Sequence, residues 1–572
     1  MELKDRQYQE YAGFLRGNVD FTIGKKLEKV AAQKPDYPAF IYQDKQVSYQ
    51  EFHIRANRFA WFFVSEGIRK GDVVALWLNN SPDYLAMVIG LSRIGAIAAL
   101  ISTELKGEKL AEDINLSEAR LLIVEDGFKE KLEEAKDFLR LRYPGKILFY
   151  SEVLNLLPEQ TENPSCSEVK NFEPFVYLYT AGGVSSRKVV PLNHYRWLLT
   201  GETVRIYADL TPEEIGYTCI PFWLNSGFSG AFAAMLASES TLVLAPGFSA
   251  TAFWDNICKY NTSYFLGTGQ MFRYLWAVEP GEAEKKHGVK KVLSNGMPAD
   301  LFTPFKERFN IPRIVEIYGT TENVGILVNI DEIPGMCGCL YLGGEKQAEV
   351  VRYNEETDDF ARDEEGRLIR CSAGEAGILL LKVDEYENFE GYINNFEETE
   401  YRLLKNIWEN GDLYFNTRDL VRLHANDYIE FVKRLDEIYR WRGKTVSAYR
   451  VRDVIRKFFG PVDDAYVVGV PVRGYEGRAG LAVVKLLAGE KLNWDKFTEY
   501  LKKRLSRAEM PVFIRLTTTG KRLKDNRNRY IEEGFDPSRT KEELFVYDQE
   551  KEAYVHLDEQ IYQDILCHKF WI

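Results

Sequence analysis

Ile314-Val-Glu-Ile-Tyr318-Gly-Thr-Thr-Glu322 joins a short apolar run to a glycine, two hydroxyls and a carboxylate. A run of this length reads as a buried strand, and Gly319 ends it in a tight turn. Similar runs recur at residues 73–77, 121–124, 241–245 and 264–267, with helical patterns between them at 83–93 and 252–260. Strands alternating with helices predict an α/β protein with doubly covered sheets, whose ligands bind beyond the carboxyl ends of the strands. The motif at 318–322 sits at such an end.

At 572 residues the chain is long enough to bury a large core without disulfides or metal. With 45% hydrophobic and 28% charged residues it reads as an ordinary folded chain, which excludes a mostly disordered or fibrous one. A net charge of -12 argues against a dedicated nucleic-acid surface, so no nucleic-acid partner is expected. The average hides a basic stretch at 501–530, net +8, which points to a local anionic partner or to a solvated face. The stretch 84–102 is apolar, but Arg93 interrupts it and Gly95 breaks it; a buried helix followed by a strand is expected there. The opening MELKDRQYQE has no apolar signal core, and the seven cysteines show no zinc spacing beyond the single pair Cys337 and Cys339. A cytosolic protein with reduced thiols is expected, with peripheral contact at the inner face of a membrane left open. After Lys433 the composition turns aromatic and basic, which places a domain boundary there: residues 1–433 and 434–572.

Several residues have the chemistry to hold a nucleotide. The strand at 175–179 runs into Thr180-Ala-Gly182-Gly183-Val-Ser185-Ser-Arg-Lys188, where backbone N–H groups, hydroxyls and a cation suit a phosphate cradle or form a plain surface turn. Beyond Tyr318, the turn Gly319, Thr320, Thr321 and Glu322 offers an aromatic face, hydroxyls and a carboxylate for a base, a phosphate and a magnesium ion. Asn295 and Gly296 form a short polar turn that suits a base edge. Asp419 suits the two hydroxyls of a ribose, or caps a turn.

These stretches, in this order, resemble the adenylate-forming superfamily, and within it the fatty-acid transport protein and very-long-chain acyl-CoA synthetase branch. The likeness also rests on Gly411-Asp-Leu-Tyr-Phe-Asn-Thr-Arg-Asp419, Arg440-Trp-Arg-Gly443, Glu476-Gly-Arg-Ala-Gly480 and Glu533-Gly-Phe-Asp-Pro537. The resemblance implies a large N-terminal domain that binds AMP and the acyl group, and a small mobile α+β C-terminal domain. It implies ATP, Mg²⁺ and coenzyme A as cofactor and co-substrates, and a long- or very-long-chain fatty acid as substrate. Tyr318 would stack on adenine, with Asn295 and Gly296 at its edge. Thr320 and Thr321 would meet phosphate and acyl carboxylate, and Glu322 would hold magnesium. Asp419 would bind the ribose with Arg434 assisting, Lys433 would sit at the hinge, and Gly443 would approach the coenzyme A channel. The lysine acting on the α-phosphate is Lys521 by the local Thr-Gly-Lys pattern, or Lys524 by spacing from Glu533. The local pattern favours Lys521.

The chain also departs from that family. Its phosphate loop keeps Tyr179, Thr180, Gly182 and Lys188 but has Ala181, Gly183, Val184 and Ser185 at altered positions. Each charge-assisted hydrogen bond lost there is worth about 1.5–3 kcal/mol. Leu224 stands in place of a histidine, and Arg418 in place of a glycine. Two functions follow: a working ligase with an unusual loop, or a nucleotide- or acyl-binding pseudo-synthetase. The acyl pocket is expected to be built from apolar side chains scattered along the chain.

Overall fold

The computed structural model describes all residues except 1, 144, 165–167, 181–187, 355–358, 385–388, 390, 436–437, 442–443, 459–460, 474, 476, 519–522, 568 and 571. The expected α/β architecture is present. The apolar runs become neighbours in two largely parallel sheets. In one, Val73–Trp77 lies between Ile97–Leu100 and Leu121–Val124, with Pro174–Tyr179 beyond. In the other, Ile215–Thr218, Tyr264–Thr268, Lys291–Asn295 and Arg313–Tyr318 pair in parallel, with Leu327–Asn329 antiparallel at the edge. The two periods of the strand explain the layering: Val74 and Leu76 face the main core between the sheets, whereas Val73, Ala75 and Trp77 face a second core on the outer side. A strand buried on both faces must be apolar at every position, which is why these runs do not alternate with polar residues.

The stretch expected as buried helix and strand is the helix Pro82–Arg93 and the strand Ile97–Leu100, with Ser81 capping the helix. Among the described residues no helix is long and apolar enough to cross a membrane. A third, antiparallel sheet carries Ala348–Val351, Ala376–Lys382, Leu413–Leu423 and Tyr428–Arg434. The strand Leu413–Leu423 runs on past Asp419 because Leu420 and Val421 face buried partners across the sheet.

Beyond Leu435, the last of a buried cluster on this third sheet, a separate core begins at Tyr439 and runs to Ile572. Its five-stranded sheet, Val462–Pro471, Arg478–Leu486, Phe513–Thr517, Glu543–Asp548 and Ala553–His556, is covered by short helices. It faces the N-terminal body at Arg273, whose guanidinium lies 3.9 Å from the Asp453 carboxylate. In the basic stretch, Lys502 pairs with Glu552 and Lys503 with Glu499, while Arg515 is fully buried between Glu533 and Glu542. These four acids lie outside the stretch and offset half of its +8. The six described cysteines are free thiols, and no described cluster could hold a metal through His, Cys, Asp and Glu alone.

Candidate functional site

The strand Arg313–Tyr318 ends beside the strands that carry Asp419 and Arg434 and the segments that carry Asn225 and Tyr392. Tyr318 is buried and donates its phenol to Asp419 Oδ2 at 2.6 Å, across 101 residues of sequence. Asp419 has no exposed surface. Arg434 clamps it with both branches of the guanidinium, Nε to Oδ1 at 2.6 Å and Nη2 to Oδ2 at 2.8 Å. Asp419 and Arg434 are also cross-strand partners, so the sheet register itself sets the pair. Proximity of Asp419 raises the Arg434 pKa further above its ordinary value, while burial above all pushes the Tyr318 phenol up.

Asp419 is aimed by a bulge. Opposite Leu379 the strand Leu413–Leu423 carries extra residues, and Thr417 Oγ1 donates to Leu379 O at 2.7 Å while accepting from Asp419 N at 3.0 Å. Arg418 in this bulge has φ +58, the left-handed region that glycine enters without strain. Its guanidinium lies 5.2 Å from the Tyr401 ring, a contact a glycine would lose. Arg418→Val is therefore expected to lower stability by about 2 kcal/mol, whereas Arg418→Gly stays within about 1 kcal/mol of the native chain. Chemical denaturation of the two variants distinguishes them; equal losses would show that the backbone there is unstrained.

The turn after Tyr318 is buried at Thr320, Glu322 and Asn323, and half-buried at Thr321. Thr320 Oγ1 is enclosed without a hydrogen-bond partner, and its carbonyl accepts from Asn225 Nδ2 at 2.8 Å. Asn225 introduces a π-helical segment, Ser226–Phe232, a rare conformation often found beside sites. Glu322 Oε1 accepts from Tyr392 Oη at 2.6 Å, and its carbonyl accepts from Arg196 Nη1 at 2.5 Å. An acceptor-rich carboxylate beside an orphaned hydroxyl has the donor set that a magnesium-bound phosphate needs.

Asn295 and Gly296 are exposed at the end of the neighbouring strand Lys291–Asn295. Gly296 has φ +90, and Asn295 Nδ2 donates to Ile317 O at 2.9 Å. Below them, the buried Glu316 carboxyl accepts from Gly296 N at 2.5 Å and Met297 N at 3.1 Å. Burial pushes Glu316 up to about 7, against the pull of those N–H groups. A carboxyl raised on folding binds more protons in the native than in the unfolded state between its unfolded value and about 7. Its contribution to stability is thus full at acid pH and is lost as pH rises through 7. Glu316→Gln is expected to remove about 2–3 kcal/mol of this pH-dependent loss between pH 5 and 8, read from denaturation midpoints. Parallel pH profiles for the two proteins would count against it.

Thr180 and Lys188 close the foot of the phosphate-loop candidate: Thr180 N donates to Lys188 O at 3.0 Å and Lys188 N to Thr180 Oγ1 at 3.2 Å. Gly182, Gly183 and Ser185 lie outside the described residues, as do Gly443 and Lys521. Lys524 lies in the turn Leu523–Asn526, and its side chain is also outside them. Leu224 is half-buried and packs on the main core. His194, stacked on Phe175 at 4.4 Å, is fully buried, and burial lowers its pKa to about 3, which suits a packing role.

A family model described as AMP-binding enzyme matches residues 27–374, more than half of the chain. The chain belongs to the AMP-binding enzyme family. Relatives in this family include long-chain fatty acid transport protein 2 of Rattus norvegicus, 29% identical over 556 residues, which cover 94% of this chain and 89% of that one. A medium/long-chain-fatty-acid–CoA ligase of Mycobacterium tuberculosis is 28% identical over 507 residues, covering 88% and 83%. Among solved structures, o-succinylbenzoate CoA synthetase from Bacillus subtilis with its acyl-adenylate intermediate superposes with a TM-score of 0.70 at 20% identity, covering 88% and 96%. A fatty acyl CoA synthetase of Mycobacterium tuberculosis gives 0.65 at 19%, covering 90% and 98%. These structures share the fold of this family.

Proposed function

We propose that the protein is a fatty-acid:CoA ligase that activates a long- or very-long-chain fatty acid as an acyl-adenylate and passes it to coenzyme A. In the first step a carboxylate oxygen bonds to the α-phosphorus of ATP and the bond to pyrophosphate breaks. In the second, the coenzyme A sulfur bonds to the acyl carbon, AMP leaves and the thiol proton is released. The observation that carries this reading is the meeting of Tyr318, Asp419 and Arg434 beside the Thr320–Glu322 turn. Ring face, ribose acceptor and phosphate-side hydroxyl then lie together at the end of the strand Arg313–Tyr318.

In this reading Tyr318 supplies the stacking face and Asn295 with Gly296 the base edge. Asp419 accepts the ribose hydroxyls, exchanging the Tyr318 phenol or one Arg434 bond for them. Arg434 holds the carboxylate in place through its charge-assisted bonds. Thr320 and Thr321 offer hydroxyls to the α-phosphate and the acyl carboxylate. Glu322 would hold magnesium, which supplies charge neutralisation for the polyphosphate. Lys188, with Thr180, fixes the loop containing Gly182, Gly183 and Ser185 against the remaining phosphates. A division close to that between residues 1–433 and 434–572 is supported by two separate cores, with Leu435 still packed in the larger body and the smaller core beginning at Tyr439. It leaves Lys433 at the joint, and Gly443, Lys521 and Lys524 on the smaller body. We place the protein in the cytosol, meeting its acyl substrate at the inner face of a membrane.

Fatty-acid-dependent exchange of labelled pyrophosphate into ATP tests the first step. Activity with acyl chains of some length is expected; AMP binding with no exchange at any length would leave only a pseudo-synthetase. Lys521→Ala is expected to lower exchange by about 100-fold or more, with Lys524→Ala within about fivefold of native. The reverse pattern would assign the role to Lys524.

A further inference from the structure

The polar segment 391–402 takes no part in the assignments above, yet it touches three of them. Lys188 forms an ion pair with Glu398 Oε1, and its ammonium lies 5.0 Å from the centre of the Tyr392 ring. The same Oε1 accepts from Arg402 Nε at 2.8 Å. Arg402, buried, turns its other branch to the strand: Nη1 donates to Asn416 O at 3.1 Å and to Thr417 O at 3.0 Å. Those carbonyls belong to the bulge that aims Asp419. Tyr392, on the other side of Lys188, donates to Glu322. The segment is itself fixed. Asn395 caps the helix Phe396–Arg402 by accepting from Glu398 N at 3.2 Å, and Tyr392 N donates to Thr399 Oγ1 at 3.0 Å. Gly391, with φ +103, lies where a side chain would collide with Thr399.

We infer that Glu398 is a positioning residue that couples the foot of the phosphate loop to the ribose-binding carboxylate. One carboxylate oxygen holds Lys188 on one side and Arg402 on the other, so the position of Lys188 is tied to the bulge carrying Asp419. Burial pushes the Glu398 carboxyl up, but the bonds from Lys188 and Arg402 outweigh it and leave the group below the usual carboxylate range. It stays charged, and both cations stay held, across the physiological range. Because one oxygen serves both cations, removing its charge would strand the two of them at once.

This inference rests on the nucleotide site proposed above, and its test is made on binding as well as turnover. Glu398→Gln keeps the shape and removes the charge. Calorimetric titration is expected to show ATP affinity falling at least about tenfold and AMP affinity at least about threefold, with Tm within about 3 °C of native. Glu398→Asp is expected to restore part of both losses. Arg402→Lys retains the charge opposite Glu398 but gives up the fork that grips two carbonyls. It is expected to weaken AMP and ATP by the same factor, about threefold or more. Unchanged affinities in both variants, or tighter ATP binding by Glu398→Gln, would overturn the coupling. Losses accounted for entirely by a fall in Tm, and not rescued by aspartate, would do the same. A native chain that binds neither nucleotide overturns the site and the coupling together. One that binds ATP but exchanges no pyrophosphate defeats only the ligase reading, and the affinities still decide this one.

Discussion

Asp419→Ala is expected to weaken ATP and AMP binding by at least about 100-fold and to lower stability by about 2 kcal/mol. The binding loss follows from removing the acceptor for both ribose hydroxyls in a site that has no second carboxylate placed to replace it among the described residues. The stability loss has two parts. The Tyr318 phenol, buried and now without its acceptor, carries a desolvation penalty of about 1–3 kcal/mol. The Arg434 side chain is 44% exposed, so it turns to water and its share is small. Equilibrium denaturation and calorimetric titration read the two effects separately. Native-like nucleotide affinity in the variant would remove Asp419 from the site.

Glu322→Gln is expected to lower pyrophosphate exchange by about 1,000-fold while leaving AMP affinity within about twofold of native. The amide oxygen still accepts from Tyr392, so the turn keeps its shape and Tm changes little. What is lost is the negative charge that would hold magnesium against the polyphosphate, and AMP without the outer phosphates makes no use of it. Supplying excess Mg²⁺ should recover part of the rate. Equal losses for AMP and ATP binding would instead make Glu322 a support for the turn.

The parallel strands were legible because burial on both faces leaves no polar position in them; residues 73–77 and 121–124 were read to their ends for that reason. The positions of Tyr318, Glu322 and Asn295 followed, since they sit where those strands stop. Asp419 was visible as a carboxylate but not as part of a bulge, because the bulge exists only in the pairing with Leu379, forty residues away in sequence order. Glu398 and Arg402 gave even less sign. FEETEYR carries no motif, and only the fold brings Glu398 to Lys188, 210 residues earlier. Glu316 was hidden by its neighbours: inside an apolar run, a single acid looks like an exception until Gly296 and Met297 arrive to bond it. Arg418 shows the converse, a departure from family pattern noted from sequence whose backbone cost is measured by its φ.

The clamp on Asp419 comes from Arg434, one residue before the last core position of the larger body, Leu435, and five before the first of the smaller, Tyr439. Arg434 thus closes the last strand of the larger body, next to the change from one core to the other. In the reaction proposed above, a rotation of the smaller body about that point would be felt first at the ribose carboxylate, as a crank turns a shaft. In a reaction that must first grip a nucleotide and then let AMP go, the same turn that brings up new chemistry would loosen the old hold. Loading and discharge would then run on one gear.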